Sequence, residues 1–210
     1  MKLSESQSKQ LVFGLMMAGA IFVATLISFL LFSDEMPPRN LGGEDGKIGG
    51  EFTLQGYHGD VSLSDYRGKV VMMYFGFTSC REVCSISMSV IRNTLNNLTP
   101  QEIDDVQVIL VSFDPERDTL KELAEYSKQY HSKIVGVTGS QKAIDTIIQD
   151  YGAYYKLDGI ELDEIEKIDL DYAFRHSSRY YIINQQGEVI DAMRHSSTPN
   201  EILARIRTLI

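Results

Sequence analysis

The sequence predicts an α/β domain carried behind a single membrane-spanning helix. Three observations lead there. An uncharged apolar stretch of 22 residues lies near the amino terminus, two continuous apolar runs of strand length follow, and amphipathic segments of helix length alternate with them. The chain has 210 residues, which accommodates one span and one compact domain of about 100–200 residues. A domain of that size buries a core without staples, so the two cysteines are not required as a disulfide framework. The net charge of −9 argues against nucleic acid, which rewards clustered Lys and Arg. Otherwise the acidity suits solubility and says little about partners.

Residues 11–32 read LVFGLMMAGAIFVATLISFLLF, with neither charge nor proline. As a helix they rise about 33 Å, enough for a hydrocarbon core of about 30 Å. A cleaved signal has a shorter apolar region, about 7–15 residues, followed by a small-residue cleavage site. Here the run ends in Leu31-Phe32-Ser33-Asp34-Glu35, with no such site and no lipidatable cysteine. Residues 1–32 are therefore expected to form a short tip and an uncleaved transmembrane anchor. Lys2 and Lys9 precede the span, while Asp34 and Glu35 follow it. That asymmetry puts the amino terminus in the cytoplasm and the domain on the extracytoplasmic, periplasmic face of a bacterial inner membrane.

Residues 33–50, rich in Gly, Pro and charge, read as a tether, which leaves 51–210 as the domain. Phe52-Thr53-Leu54 and Val61-Ser62-Leu63 flank Gly56 and Gly59 as a short hairpin. Residues 70–77 and 106–113 are continuous apolar runs, the pattern of strands covered on both faces. Residues 179–183 and 188–193 pair as a hairpin across Asn184-Gln185-Gln186-Gly187. Helices are expected over 84–98, 118–130, 140–150 and 199–209, the last opened by Pro199 in a first-turn position. Strand, helix, strand, helix, hairpin, helix is the order of a thioredoxin-like α/β domain. A right-handed crossover makes the first two long strands parallel, so their carboxyl ends share one edge, where sites in open α/β sheets form.

At that edge stands Gly76-Phe77-Thr78-Ser79-Cys80-Arg81-Glu82-Val83-Cys84, containing both cysteines of the chain. Spaced four apart, Cys80 and Cys84 are expected on one helical face. A helix amino terminus favours their thiolates, and thiolates are soft donors suited to Cu(I). Two inert core cysteines are the plain alternative. Redox work is a second, although the thioredoxin motif is Cys-x-x-Cys and this one is longer by a residue. Two thiolates call for a third donor. His58 in a turn, His131 at a helix end and His195 after the last strand read as surface residues. His176 immediately precedes the hairpin strand where thioredoxin-like oxidoreductases carry a proline, and position alone leaves it open as a ligand or not.

The chain resembles the SCO/SenC family of copper chaperones. The resemblance rests on Gly76-Phe77-Thr78 with Cys80 and Cys84, on Val111-Ser112-Phe113-Asp114-Pro115-Glu116-Arg117-Asp118-Thr119, on Gly136-Val137-Thr138-Gly139, and on His176-Ser177. It spans most of residues 50–195, in order. It implies a mononuclear copper site of Cys80, Cys84 and His176, holding Cu(I) or Cu(II). It also implies delivery to the Cu-A centre of cytochrome c oxidase, or reduction of that centre's cysteines. The expected partner is the Cu-A-bearing subunit or another copper or thiol protein.

Asp114, expected at the carboxyl end of a central strand, reads either as a residue around the copper ligands or docking surface, or as a turn residue before Pro115. The chain departs from the family pattern at Arg81 and Ser85, where proline is common, and at Arg175, where aspartate is common. A thiol-disulfide oxidoreductase, with Cys80 attacking and Cys84 resolving, is the alternative function. A peroxiredoxin-type peroxidase fits less well, because Thr78 is only two residues before Cys80 and no proline lies nearby.

Overall fold

A computed structural model describes residues 48–80, 83–153 and 179–210, the backbone of 155–157 and 174–176, and six positions near the amino terminus. The chain divides into two units, Met1–Arg39 and Asn40–Ile210. In the first, Gly14, Met16, Met17, Gly19, Phe22 and Val23 are helical and exposed, and the rest of the expected anchor lies outside the described residues. Among the described residues no helix is long and apolar enough to cross a membrane.

The second unit is built on a seven-stranded sheet in the order β2-β1-β5-β4-β3-β8-β9. The strands are β1 (Thr53–Gly56), β2 (Gly59–Ser62), β3 (Val70–Gly76), β4 (Val106–Ser112), β5 (Ile134–Thr138), β8 (Arg179–Ile183) and β9 (Val189–Arg194). A separate two-stranded ribbon pairs β6 (Tyr155–Leu157) with β7 (Phe174–His176). The helices are α1 (Val83–Asn96), α2 (Leu120–Tyr130), α3 (Gln141–Asp150) and α4 (Pro199–Arg207). The expected parallel crossover is present: β3 and β4 run in register from Val70↔Val106 to Gly76↔Ser112. The expected hairpin is β8–β9, turned by Asn184, whose Oδ1 accepts from Gln186 and Glu188, and by Gly187 at φ 87°. A side chain at that φ would be strained, which is why glycine closes the turn.

All seven residues of β3 and of β4 are buried. Successive side chains of a strand point to opposite faces, and both faces are filled. On one, Tyr74 tilts against Tyr180 and reaches Cys84 of α1, while α4 packs beside α1. On the other, Tyr151 follows α3 and meets Phe52, Phe75 and Tyr181 edge-on. Its hydroxyl donates to Gly50 O at 2.9 Å. Helix starts carry the caps their sequences suggest: Thr119 with Glu122, Ser140 with Ala143, and Thr198 with Glu201.

Strand β5 was not among the expected elements. It is short, and Gly136 interrupts its apolar pattern. The glycine has a packing reason, because an ideal Cβ there would lie 2.7 Å from Ser127 Oγ and 2.8 Å from Leu123 O of α2. Helix α2 thus lies directly on the β5 backbone. At the far end of the domain, Arg207 of α4 donates to Glu102 at 2.7 and 3.0 Å, closing α4 onto the 3-10 turn Glu102–Asp105. These bonds hold the Glu102 carboxyl down at about 2.

Two outcomes follow from these contacts. Gly136→Ala drives backbone and side chain together and should cost about 1–3 kcal/mol, read as a lower urea midpoint with an unchanged slope. Glu102 is held below its ordinary 4.5 in the folded chain, so its contribution is present above pH 4.5 and is lost as pH falls towards 2. Glu102→Gln should therefore flatten the acid limb of a stability–pH curve over that window, and an unaltered limb would show the pair to be inert.

Candidate metal centre

The site forms where the β3–β4 ladder ends. Phe113 N donates to Gly76 O at 3.2 Å, the last strand-to-strand bond at this edge. The chain then turns through Phe77–Cys80, with Cys80 N donating to Phe77 O at 3.4 Å. Phe77 packs edge-on to Phe113, centroids 5.1 Å apart, and roots the turn in the core. Both cysteines are buried, Cys80 at 9% exposure and Cys84 at 1%, and no disulfide joins them.

Their meeting differs from the expected shared helical face. Helix α1 begins at Val83, so only Cys84 is helical. Cys80 lies in the turn ahead, and its Sγ accepts the backbone N–H of Cys84 at 3.3 Å. The first amides of a helix have no intrahelical partner, and here a sulfur serves one of them. The second sulfur rests against Gly76, where an ideal Cβ would lie 3.2 Å from Cys84 Sγ and 3.1 Å from Tyr74 Cε1. A side chain there would press on the sulfur and on the Tyr74 ring, so glycine leaves the thiol room. The Tyr74 hydroxyl donates to Cys84 Sγ at 3.9 Å.

Thiolate character is also corrected. The helix terminus was expected to lower the thiol pKa values, yet Cys84 is pushed far up. Its hydrogen bond with Cys80 is the largest cause, followed by burial and by the charge Cys80 would carry. Two sulfurs in one dry pocket oppose a shared double negative charge.

A carboxylate that the sequence reading left without a role completes the edge. Asp118 is 1% exposed. It accepts from Thr78 Oγ1 at 2.5 Å, from Thr78 N at 3.1 Å and from Ser112 Oγ at 2.6 Å. Burial raises its pKa, against the opposing pull of those donors. The one sequence signal was its place in the 111–119 motif, and nothing local pointed from Asp118 to Thr78. Asp114, the expected candidate, behaves as a turn residue: its carbonyl accepts from Asp118 N at 2.9 Å and its carboxylate takes Arg117 Nε at 2.5 Å.

Of the histidines read as surface residues, His58 and His195 are exposed and His131 is half-buried, while His176 stays open. His58 sits in the β1–β2 turn beside the Tyr57 ring. His131 follows α2, with Nδ1 accepting from Lys133 N at 3.1 Å. His195 follows β9 and is exposed, its carbonyl accepting from Tyr180 at 3.3 Å. His176 lies in β7, its backbone opposite Tyr155 of β6, and its imidazole falls outside the described residues. So do Arg81 and the side chain of Arg175, while Ser85 stands half-buried in the first turn of α1. Among the described residues no three His, Cys, Asp or Glu side chains group as a metal cluster.

An α/β domain of this topology, with the chain's two cysteines side by side at the end of a central strand, has a thioredoxin-like fold. The family model SCO1/SenC matches residues 42–210. The chain belongs to the SCO1/SenC family. It is 32% identical over 183 residues to the SCO2-like protein of Rickettsia felis, covering 83% of this chain and 86% of that one. With the human mitochondrial SCO1 homologue it shares 31% over 163 residues, 77% of this chain and 52% of that one. Its fold matches apo Sco1 of Thermus thermophilus with TM-score 0.68 and 28% identity, covering 78% and 92% of the two chains. Copper-bound ScoI of Bradyrhizobium japonicum matches with TM-score 0.66 and 27% identity, covering 78% and 99%.

Gly76→Ala should displace the Cys84 sulfur and destabilise the domain by about 1–3 kcal/mol. Iodoacetamide labelling of the metal-free protein, followed by mass spectrometry, should show Cys84 modified faster than in the parent. Unchanged labelling would mean that the sulfur does not depend on the glycine.

Proposed function

We propose that this chain is a copper chaperone, anchored by residues 11–32 and a tether over 33–50, that serves assembly of the Cu-A centre of cytochrome c oxidase outside the cytoplasm. Copper is its cargo, held by Cys80, Cys84 and His176. The observation that carries the reading is the sulfur pair: Cys80 Sγ lies 3.3 Å from the Cys84 amide, above a glycine that leaves space for the second sulfur. Family membership and the copper bound by the similar ScoI support it.

The donor set fits the ion. Thiolates are soft and match Cu(I), while a borderline imidazole nitrogen lets one site accept Cu(II) as well. Copper displaces the thiol protons on binding, so a pair that resists double ionisation in the apo protein becomes doubly thiolate in the loaded one. Transfer then proceeds by ligand exchange at the sheet edge, an acceptor thiolate entering as Cys80 or Cys84 leaves. Asp114, engaged by Arg117, is assigned to the loop and not to the ion.

A second reading has its own observation. Cys80 is the more exposed residue and Cys84 the more deeply buried, the order in which one thiol attacks a partner's disulfide and the other resolves it. The deciding experiment is a Cu(I) titration of the reduced full-length chain in detergent against a competing chelator, beside His176→Ala and Cys84→Ser. One equivalent should bind, and each substitution should weaken it by at least the roughly 10–100-fold that a change next to a ligand costs. If the parent yields its copper to a weak competitor, thiol exchange becomes the function. If only His176→Ala is silent, the third ligand is wrong.

A further inference from the structure

We propose that Asp118 is the positioning residue of the metal centre: through Thr78 it holds the Phe77–Cys80 turn so that the Cys80 sulfur is in place before copper arrives. The inference deepens the copper reading of the cysteine pair and rests on it.

A buried carboxylate is costly unless its oxygens are hydrogen-bonded. Asp118 has, among the described residues, no ion pair to offset that cost, and it is almost fully enclosed. What it gains is a set of aligned donors: Thr78 N and Oγ1 from the loop after β3, and Ser112 Oγ from the end of β4. Thr78 lies 40 residues away in sequence and two positions before Cys80. Beyond Gly76 the ladder with β4 has ended, so its amide is served by the Asp118 carboxylate.

The acceptor side is itself braced. Asp118 N donates to Asp114 O at 2.9 Å, and Ser112 Oγ also receives Asp114 N at 3.1 Å. Ser112 O takes Thr138 Oγ1 at 3.2 Å, which ties in the end of β5. One carboxylate thus joins the cysteine turn to the ends of β4 and β5.

The strands do not need this clasp. The parallel ladder from Val70↔Val106 to Gly76↔Ser112 already holds β3 to β4. Phe77 secures one end of the turn by packing on Phe113. The clasp therefore constrains the stretch between Phe77 and Cys80, whose sulfur caps the Cys84 amide. Ordering that stretch in advance removes a cost that copper binding would otherwise meet.

The test uses the full-length chain in detergent with Thr78→Val, Thr78→Ser and Asp118→Asn. Three readouts are taken: the Cu(I) dissociation constant by chelator competition, the thermal midpoint, and the iodoacetamide labelling rate of Cys80 in the reduced, metal-free protein. Thr78→Val and Asp118→Asn should weaken Cu(I) by about 10–100-fold, whereas Thr78→Ser, which keeps the hydroxyl, stays within about threefold of the parent. Cys80 should label several-fold faster in Thr78→Val, with the thermal midpoint nearly unchanged.

The proposal is overturned if Thr78→Val binds copper as tightly and labels as slowly as the parent, or if Thr78→Ser loses as much as Thr78→Val. Should Asp118→Asn fail to fold, the Thr78 pair decides alone. If the parent itself holds no copper, the chaperone reading fails, while the contrast in Cys80 labelling between Thr78→Val and Thr78→Ser still decides whether Asp118 orders the turn.

Discussion

Because every residue of β3 and β4 is buried, every amide of that pair has to find its partner inside the protein. The parallel ladder supplies partners as far as Gly76↔Ser112, and Phe113 N takes the last available carbonyl at Gly76. Past that point Thr78 is half-buried, Ser79 exposed and Cys80 buried again, and no strand remains to pair with them. The next amides are met one at a time: Thr78 by the Asp118 carboxylate, Cys80 by Phe77 O, and Cys84 by the Cys80 sulfur. The site is the place where regular backbone pairing runs out and side chains take over its work. A sulfur enrolled as a hydrogen-bond acceptor is thereby held in one position, which a metal ligand also needs.

The electrostatics of the edge follow from the same enclosure. Asp118 and Cys84 both occupy dry positions at this edge, and burial disfavours charge on each. Asp118 is raised by desolvation although its donors oppose the shift, and Cys84 is raised chiefly by its bond to Cys80. On the proposed copper reading, the Cys84 thiol gives up its proton to a soft cation that brings its own positive charge. On that reading, selectivity for such a cation over hard ions comes from the softness of the sulfur donors.

The long, uniformly apolar segments were legible. Residues 70–77 and 106–113 had no polar face to hide and became β3 and β4, and the Asn184–Gly187 turn marked its hairpin. The four helices also fell within two residues of the expected bounds at every end. Strand β5 was not legible, because five residues containing Gly136 make too short a pattern to distinguish from loop, and its strand character comes from pairing with Val108–Val111 on one side and Gln55–Gly56 on the other. The ribbon at Tyr155–Leu157 and Phe174–His176 was hidden for a similar reason, since each strand exists only by virtue of the other. The cysteine pair was found by its spacing but given the wrong geometry, as a four-residue interval says nothing about where the helix starts. Asp118 was visible in its motif while its role was not.

By itself the sequence determined the order of the helices and the long strands, the burial of the central strands, the kinds of donor atom at the sheet edge and the family. These depend on neighbours within a few residues, on alternation and on apolar run length, all of which are written along the chain. The tertiary structure alone decided that Cys80 stands outside the helix, that Gly76 makes room for a sulfur, that Cys84 resists ionisation, and that Asp118 clasps Thr78. Each of these joins groups from separate elements, up to 40 residues apart in the case of Asp118 and Thr78. Their energies come from enclosure and hydrogen-bond geometry, which exist only once the sheet has closed over them.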